Sequence, residues 1–426
     1  EVFGGVQLVD GLIQAINFGG PSQEYENILL DTLAFKKDFA LELSLFERDR
    51  AAAPICAGLI AWNVNLDFDS KTIPSGEVRG SFNVNISEEP GGPAYVVSRV
   101  LQGVGEDTFL VGHLDDDVID KNIQTKLGQS SSATIYTDYL EVTKHIRKTR
   151  VSYILQPETR SPDAFGQRVI LEESIDSESA DLPRQYIASL QKRLKEHPNR
   201  VLFFDKFLQA ASEQIIRILS PLTWTVFEPG TRGTEDLSVE RRLFGKVNFL
   251  VCSFPFAQKV CGNTISPFLS IREYSGLIDD ILGDIEKFVS MLMRAEVVQS
   301  MLRKAEEPRI VIVTLGAKGS MIICDGLDQY SKWYFYQEGF APSRNYNSKA
   351  GDVFRGALVS ILVKLKKLGF TGRDLQEREY WPQIAKYSSK CSSVKLGFDL
   401  MDDALPEIAN LVEECIVRCR AVRASM

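Results

Sequence analysis

From about Arg200 onward the chain repeats one arrangement, in which a short apolar, β-prone run is followed by a stretch with helical spacing. The runs are VLFFDKF, TWTVFEP, NFLVCSF and RIVIVTL, separated by helix-like segments such as AASEQIIRILSPL. Strands that alternate with helices and stay apolar along their length are buried on both faces, the condition met by parallel strands with crossover helices. The pattern therefore predicts an α/β fold, a doubly wound, mainly parallel sheet with helices on both faces. The N-terminal half adds a different rhythm. FNVNISEE, from Phe82, alternates strictly, and PICAGLIAWNVNLDFD, RVSYILQPE and RVILEE also read as strands, predicting a small antiparallel sheet drawn from about 66–90 and 133–173.

With 426 residues the chain has room for one large α/β domain with appendages. Residues 1–53, which include the amphipathic DTLAFKKDFALELSLFERDR and end in AAAP, are expected to form a helical extension; 54–405 would form the main domain and 406–426 a C-terminal helix packed on it. Lys plus Arg number 49 against 57 Asp plus Glu, a net charge of −8 and the wrong sign for broad contact with nucleic acid. No apolar run approaches the roughly 20 residues of a membrane span. The seven cysteines form no C-x-x-C pair, and Cys56, Cys252, Cys324 and Cys391 lie in apolar or small-residue runs, which favours the cytoplasm or another reducing compartment. Cys415 and Cys419 could face each other on a helix. Because the sequence begins at Glu1, it leaves room for a removed targeting peptide. The three histidines stand in polar contexts, so acid–base chemistry falls to a carboxylate.

No G-x-x-x-x-G-K-[ST] loop occurs, and GVGEDT at Gly103 follows a helix and reads as a helix stop. More informative is RIVIVTLGAKGSMIICDG, a strand, a turn containing Gly316, Lys318 and Gly319, and a returning strand. Beyond it, Phe354, Leu358, Ile361, Leu365 and Leu368 recur at helical spacing and predict a helix from about Gly351 to Leu368. Its start, Ala350-Gly351-Asp352, lets backbone N–H groups approach an anion that the helix dipole favours. On this local pattern Asp352 is either a first-turn carboxylate or a general base beside that anion.

These segments resemble the ribokinase-like (PfkB) carbohydrate kinases. AGDVFRGAL resembles the family's C-terminal signature, VTLGAKGS its nucleotide-loop strand, and Gly91-Gly92 followed by FLVGHLDDDVID its N-terminal signature. Asn65 and Asp67 fall where the family has an Asn-x-Asp sugar-binding pair, and EPGTR, from Glu228, resembles Asp-Pro-Asn-x-Arg. Order and spacing agree from about residue 54 to 405. The resemblance implies an ATP-dependent kinase with Mg2+ as cofactor and a sugar or polyol as acceptor. Asp352 would be the base, and Ala350, Gly351 and Asp352 amides the anion hole. Thr314, Gly316, Gly319 and Lys349 would lie at the nucleotide, and Asn65, Asp67, Gly91 and Gly92 at the acceptor. The small sheet would act as a lid and pair in a homodimer. For Asn65 and Asp67 a strand-ending turn pair, for Gly91-Gly92 a plain turn, and for Lys349 a solvated side chain remain open alternatives.

The chain also departs from that family. Tyr346-Asn347-Ser348-Lys349 replaces Asp-Thr-x-Gly, removing an expected ligand for a monovalent cation. Ser253-Phe254-Pro255-Phe256 replaces the Asn-x-x-Glu that helps place magnesium, and no carboxylate remains there. Val96 and Asp115 replace an expected Asn and Gly. Two functions follow as expectations: a sugar or polyol kinase, with nucleosides as a second acceptor class, or a kinase fold kept as a binding or scaffold subunit.

Overall fold

The computed structural model describes residues 53–68, 84–115, 118–127, 133–143, 150–157, 169–172, 184–197, 200–206, 222–230, 244–263, 271–302, 309–324, 332–341, 349–398 and 401–426. All belong to the second of two compact units, Ala53–Met426. The first, Glu1–Ala52, lies outside the described residues, and the expected helical extension with it.

Strand β1 (Ile55–Ala57) opens the large sheet, and β2 (Ala61–Phe68) and β3 (Val84–Gly91) start the small one. Helix α1 (Pro93–Gly103) leads to β4 (Thr108–Asp115), α2 (Val118–Leu127) and β5 (Ile135–Thr143), after which β6 (Arg150–Pro157) and β7 (Val169–Glu172) return to the small sheet. Then follow α3 (Arg184–Glu196), β8 (Val201–Asp205), β9 (Trp224–Glu228), β10 (Phe249–Ser253) and α4 (Phe254–Val260). Helices α5 (Ile271–Gly283), α6 (Ile285–Arg294) and α7 (Glu296–Leu302) precede β11 (Ile310–Thr314), β12 (Gly319–Cys324) and β13 (Trp333–Glu338). The chain ends in α8 (Ala350–Lys367), α9 (Trp381–Leu396) and α10 (Met401–Ser425).

The large sheet has the order β13-β12-β11-β10-β9-β8-β1-β4-β5. It is parallel from β11 to β5, and β12 and β13 add antiparallel strands at one edge. Side chains along each strand alternate between two buried layers, which is why the runs carry no polar face. Phe203, Val251 and Ile312 meet α1, α8, α9 and α10, while Phe204, Cys252 and Val313 meet α3, α4, α6 and α7. Helix α8 runs through the first layer with every residue from Val353 to Val363 buried. The C-terminal helix begins at Met401 and buries Ile408, Val412, Cys415 and Cys419 in the same core. None of the seven cysteines is in a disulfide, and burial pushes the Cys56 thiol up to about 11 and the Cys391 thiol up to about 12.

The small sheet has the order β3-β2-β6-β7. Its outer pairings are antiparallel, but β2 and β6 at its centre run parallel, because β6 arrives after the chain has crossed the large sheet through β4 and β5. The expected span 133–173 is therefore divided. Ile135 and Tyr136 are buried in opposite layers, and β5 pairs with β4 in the large sheet. The small sheet buries polar side chains beside Trp62 and Ile154. Asn63, Asn65 and Ser152 are buried, whereas Ile86 is 64% and Tyr153 46% exposed. No helix among the described residues is long and apolar enough to cross a membrane.

Candidate active site

Strands β8, β9, β10 and β11 end in Asp205, Glu228, Ser253 and Thr314, with Asp205 in register with Glu228 and Ser253 with Thr314. The carboxyl ends of parallel strands are where open α/β sheets receive ligands. There the β11–β12 turn and the start of α8 border a cleft of about 260 Å³. Thr314, Gly316 and Gly319 come to it from the turn, and Ala350 and Gly351 from α8, so three residues expected at a nucleotide and two expected in the anion hole line one cleft. Gly319 has a φ of 106°, and a Cβ there would lie 2.0 Å from the Gln337 carbonyl, so glycine alone allows the turn to close on β13.

The sequence reading missed the wall formed by Ser389, Ser392 and Ser393 of α9. Ser392 Oγ donates to the Ala350 carbonyl at 2.8 Å, and the buried Ser389 Oγ finds no partner among the described residues. Phe340, Phe354 and Leu396 supply apolar surface. A small cleft with flat apolar walls, hydroxyls and glycine backbone suits a flat heterocycle joined to an anion.

The Lys349 side chain does not cap the first turn of α8, whose leading N–H groups lack intrahelical acceptors. In that turn Asp352 Oδ1 accepts from Arg355 Nη1 at 2.7 Å, and Arg355 Nη2 donates to Glu228 Oε1 at 2.8 Å. Glu228 Oε1 also accepts from the Gly230 N–H at 2.9 Å. Burial pushes the Glu228 carboxyl above its ordinary value, opposed by Arg355, while Asp352 adds to the rise. Burial works against the Arg355 charge, but Glu228 and Asp352 outweigh it and hold the guanidinium above its ordinary value. One cation thus serves two carboxylates. Neither Arg355 nor its bond to Glu228 was assigned a role from sequence, although Asp352 and Arg355 at i and i+3 form a legible helix pair.

Lys349, expected at the nucleotide, directs its ammonium toward the end of β3. Its Nζ lies 2.7 Å from Glu89 Oε1 and donates to the Pro90 carbonyl at 2.6 Å. Burial lowers the Lys349 pKa and Glu89 opposes the shift. The physical reason is the buried Glu89, which demands a counter-charge, together with a left-handed backbone at Lys349 (φ 65°). The solvated alternative is excluded, since Lys349 is 4% exposed.

Pro90 leads into Gly91-Gly92, where a Cβ on Gly91 would lie 2.3 Å from Asn63 Nδ2 and one on Gly92 2.3 Å from the Leu59 carbonyl. The glycine turn therefore rests on the buried polar face of β2. Asn65 Nδ2 donates to Ser87 Oγ at 3.3 Å, while its buried Oδ1 has no partner among the described residues. The Asp67 side chain lies outside the described residues. Asn63, also missed from sequence, was visible in the alternation Asn63, Asn65, Asp67.

These residues do not fit a protein-held divalent ion. Among the described residues, Asp352 and Glu228 are both engaged by Arg355, Ser253 ends β10 with a hydroxyl that finds no partner in place of a carboxylate, and no ligand cluster occurs. Tyr346, Asn347 and Ser348 lie outside the described residues.

Several solved structures share this architecture. A ribokinase from Giardia lamblia has a TM-score of 0.63 at 13% identity, over 86% of this chain and 99% of that one. An Arabidopsis thaliana ribokinase complexed with ribose and ATP gives 0.54 at 12%, over 86% and 98%. A Burkholderia thailandensis nucleoside kinase in complex with inosine gives 0.56 at 15%, over 86% and 98%. No family model and no curated protein sequence matches the chain. At such identities the likeness is one of architecture. The doubly wound sheet, the small second sheet and the cleft at the strand ends together make this a ribokinase-like fold.

Proposed function

We propose that the protein transfers the γ-phosphoryl group of ATP to a hydroxyl of a sugar or sugar-like polyol, with Asp352 as general base. The observation that carries this reading is the meeting of Thr314, Gly316, Gly319, Ala350 and Gly351 around one cleft, with Asp352 in the same helical turn. ATP-bound and ribose-bound complexes among the structural neighbours agree with it. The buried Asn65 amide oxygen supports a hydroxyl-rich acceptor, because an unpartnered buried acceptor is costly unless a donor arrives.

In this reading the acceptor O–H gives its proton to Asp352 as its oxygen bonds to the γ-phosphorus and the bond to the leaving ADP oxygen breaks. The N–H groups at the start of α8 hold the charge that develops on the phosphoryl oxygens. Asp352 need not move, since Arg355 fixes its Oδ1 and leaves Oδ2 for the proton. No step here uses a metal ion held by the protein.

Titration calorimetry with ATP, combined with thermal shift over sugars, polyols and nucleosides, tests the reading. ATP binding together with a shift from one polyol is expected; a shift from nucleosides alone moves the acceptor to that class. A second reading, a scaffold subunit without turnover, is favoured by the engagement of both site carboxylates with Arg355. Binding of neither nucleotide nor acceptor would support it. The exposed Ile86 and Tyr153 support pairing of small sheets in a homodimer, which solution mass measurement tests.

A further inference from the structure

Arg355 sits one turn inside α8, 6% exposed, with Phe354, Gly356, Ala357 and Leu358 buried around it in sequence. A guanidinium in such surroundings needs acceptors for its N–H groups, and among the described residues its buried Nε finds none. Its terminal nitrogens go to carboxylates of two different elements, Asp352 in the first turn of α8 and Glu228 at the carboxyl end of β9. Lys206, after β8, adds a second positive charge near Glu228. A divalent ion at the ends of these strands would be held by one or two carboxylates. The guanidinium already takes that position between them, with two directed bonds.

We propose that Arg355 is the resident cation of this site. Anchored to the sheet by Glu228, it fixes the position and charge of Asp352, and the two carboxylates are therefore not ligands of a divalent ion. Arg355 acts through Asp352 and is a positioning residue. This part of the inference rests on the reading of Asp352 as base; the cation assignment does not.

The test uses the full chain and Mn2+ as probe. Nucleotide-free protein is titrated with Mn2+ and the bound ion is counted by electron paramagnetic resonance. The native protein is expected to show no Mn2+ site that Glu228→Gln removes. Arg355→Met, which releases both carboxylates, is expected to gain one site that Arg355→Met/Asp352→Asn loses. A native Mn2+ site abolished by Glu228→Gln overturns the assignment, as does a folded Arg355→Met without a gain. Should Arg355→Met fail to fold, the native and Glu228→Gln titrations still decide.

The positioning role is read from Arg355→Lys, whose compact ammonium lacks the planar fork that reaches both carboxylates. Its kcat for phosphoryl transfer, or for ATP hydrolysis by water, is expected to fall about tenfold or more with KM for ATP within about threefold, a fraction of the roughly 10²–10⁴ lost with a general base. Proportional loss in both parameters, or loss in neither, overturns the role. If Asp352→Asn leaves turnover unchanged, the kinase reading of Asp352 fails while the Mn2+ result stands on its own.

Discussion

Lys349 Nζ and Glu89 Oε1 lie 2.7 Å apart, with neither side chain more than 5% exposed. This ion pair joins the end of β3 to the residue that starts α8. It thereby holds the Gly91-Gly92 turn and the polar face of β2 in a fixed relation to the start of α8, which borders the cleft. Phosphoryl transfer requires such a fixed relation between acceptor and donor, since misplacement by about 1 Å can cost about 10²-fold in rate.

Lys349→Gly tests the pair. Glycine relieves the left-handed backbone, worth about 1–2 kcal/mol, but strands a buried carboxylate, which costs about 3–5 kcal/mol. The expected net loss is about 1–4 kcal/mol by urea unfolding, and Lys349→Gly/Glu89→Gln should recover most of it. A single variant more stable than the native protein would show that the pair contributes nothing.

Glu228 supplies a pH test. Its carboxyl is raised above the ordinary 4.5, first by burial, so the native state keeps this proton to higher pH than the unfolded chain. Its contribution to stability is then fully present below about pH 4.5 and is lost as pH rises through the raised value. Plotted against pH, the melting temperature of the native protein should decline relative to Glu228→Gln across that window. The opposite slope would mean that Arg355 more than offsets burial.

Gly319→Ala puts a methyl group against the Gln337 carbonyl in a left-handed backbone beside the cleft. A loss of more than about 1 kcal/mol is expected, together with weaker ATP binding. Gly105→Ala, at φ 83° in open space, should lose stability alone. Equal ATP affinity in both variants would remove the β11–β12 turn from the nucleotide site.

What was legible in the sequence was the large sheet, because strands buried on both faces read as uninterrupted apolar runs, and helix α8, where Phe354, Leu358, Ile361 and Leu365 recur at helical spacing even though every residue from Val353 to Val363 is buried. The glycine-rich β11–β12 turn was legible because Gly319 answers to a backbone constraint. The small sheet was harder. Its central parallel pairing depends on which strand β6 meets after a long crossover, and β5 carries an alternation that suits either sheet. Least legible were Lys349 and Arg355. Their partners Glu89 and Glu228 are 260 and 127 residues away, and only the tertiary fold decides whether a charged side chain is solvated or buried in a pair.

The central claim is transfer of the ATP γ-phosphoryl group with Asp352 as base. It is tested most directly by incubating native protein and Asp352→Asn with γ-labelled ATP and a panel of sugars, polyols and nucleosides, and counting label in the acceptor. The account predicts labelled product from at least one hydroxyl acceptor with the native protein. Asp352→Asn should lose about 10²–10⁴ in rate while ATP affinity stays within a few-fold. Undiminished transfer by Asp352→Asn, or ATP binding with no labelled acceptor from the native protein, would contradict it.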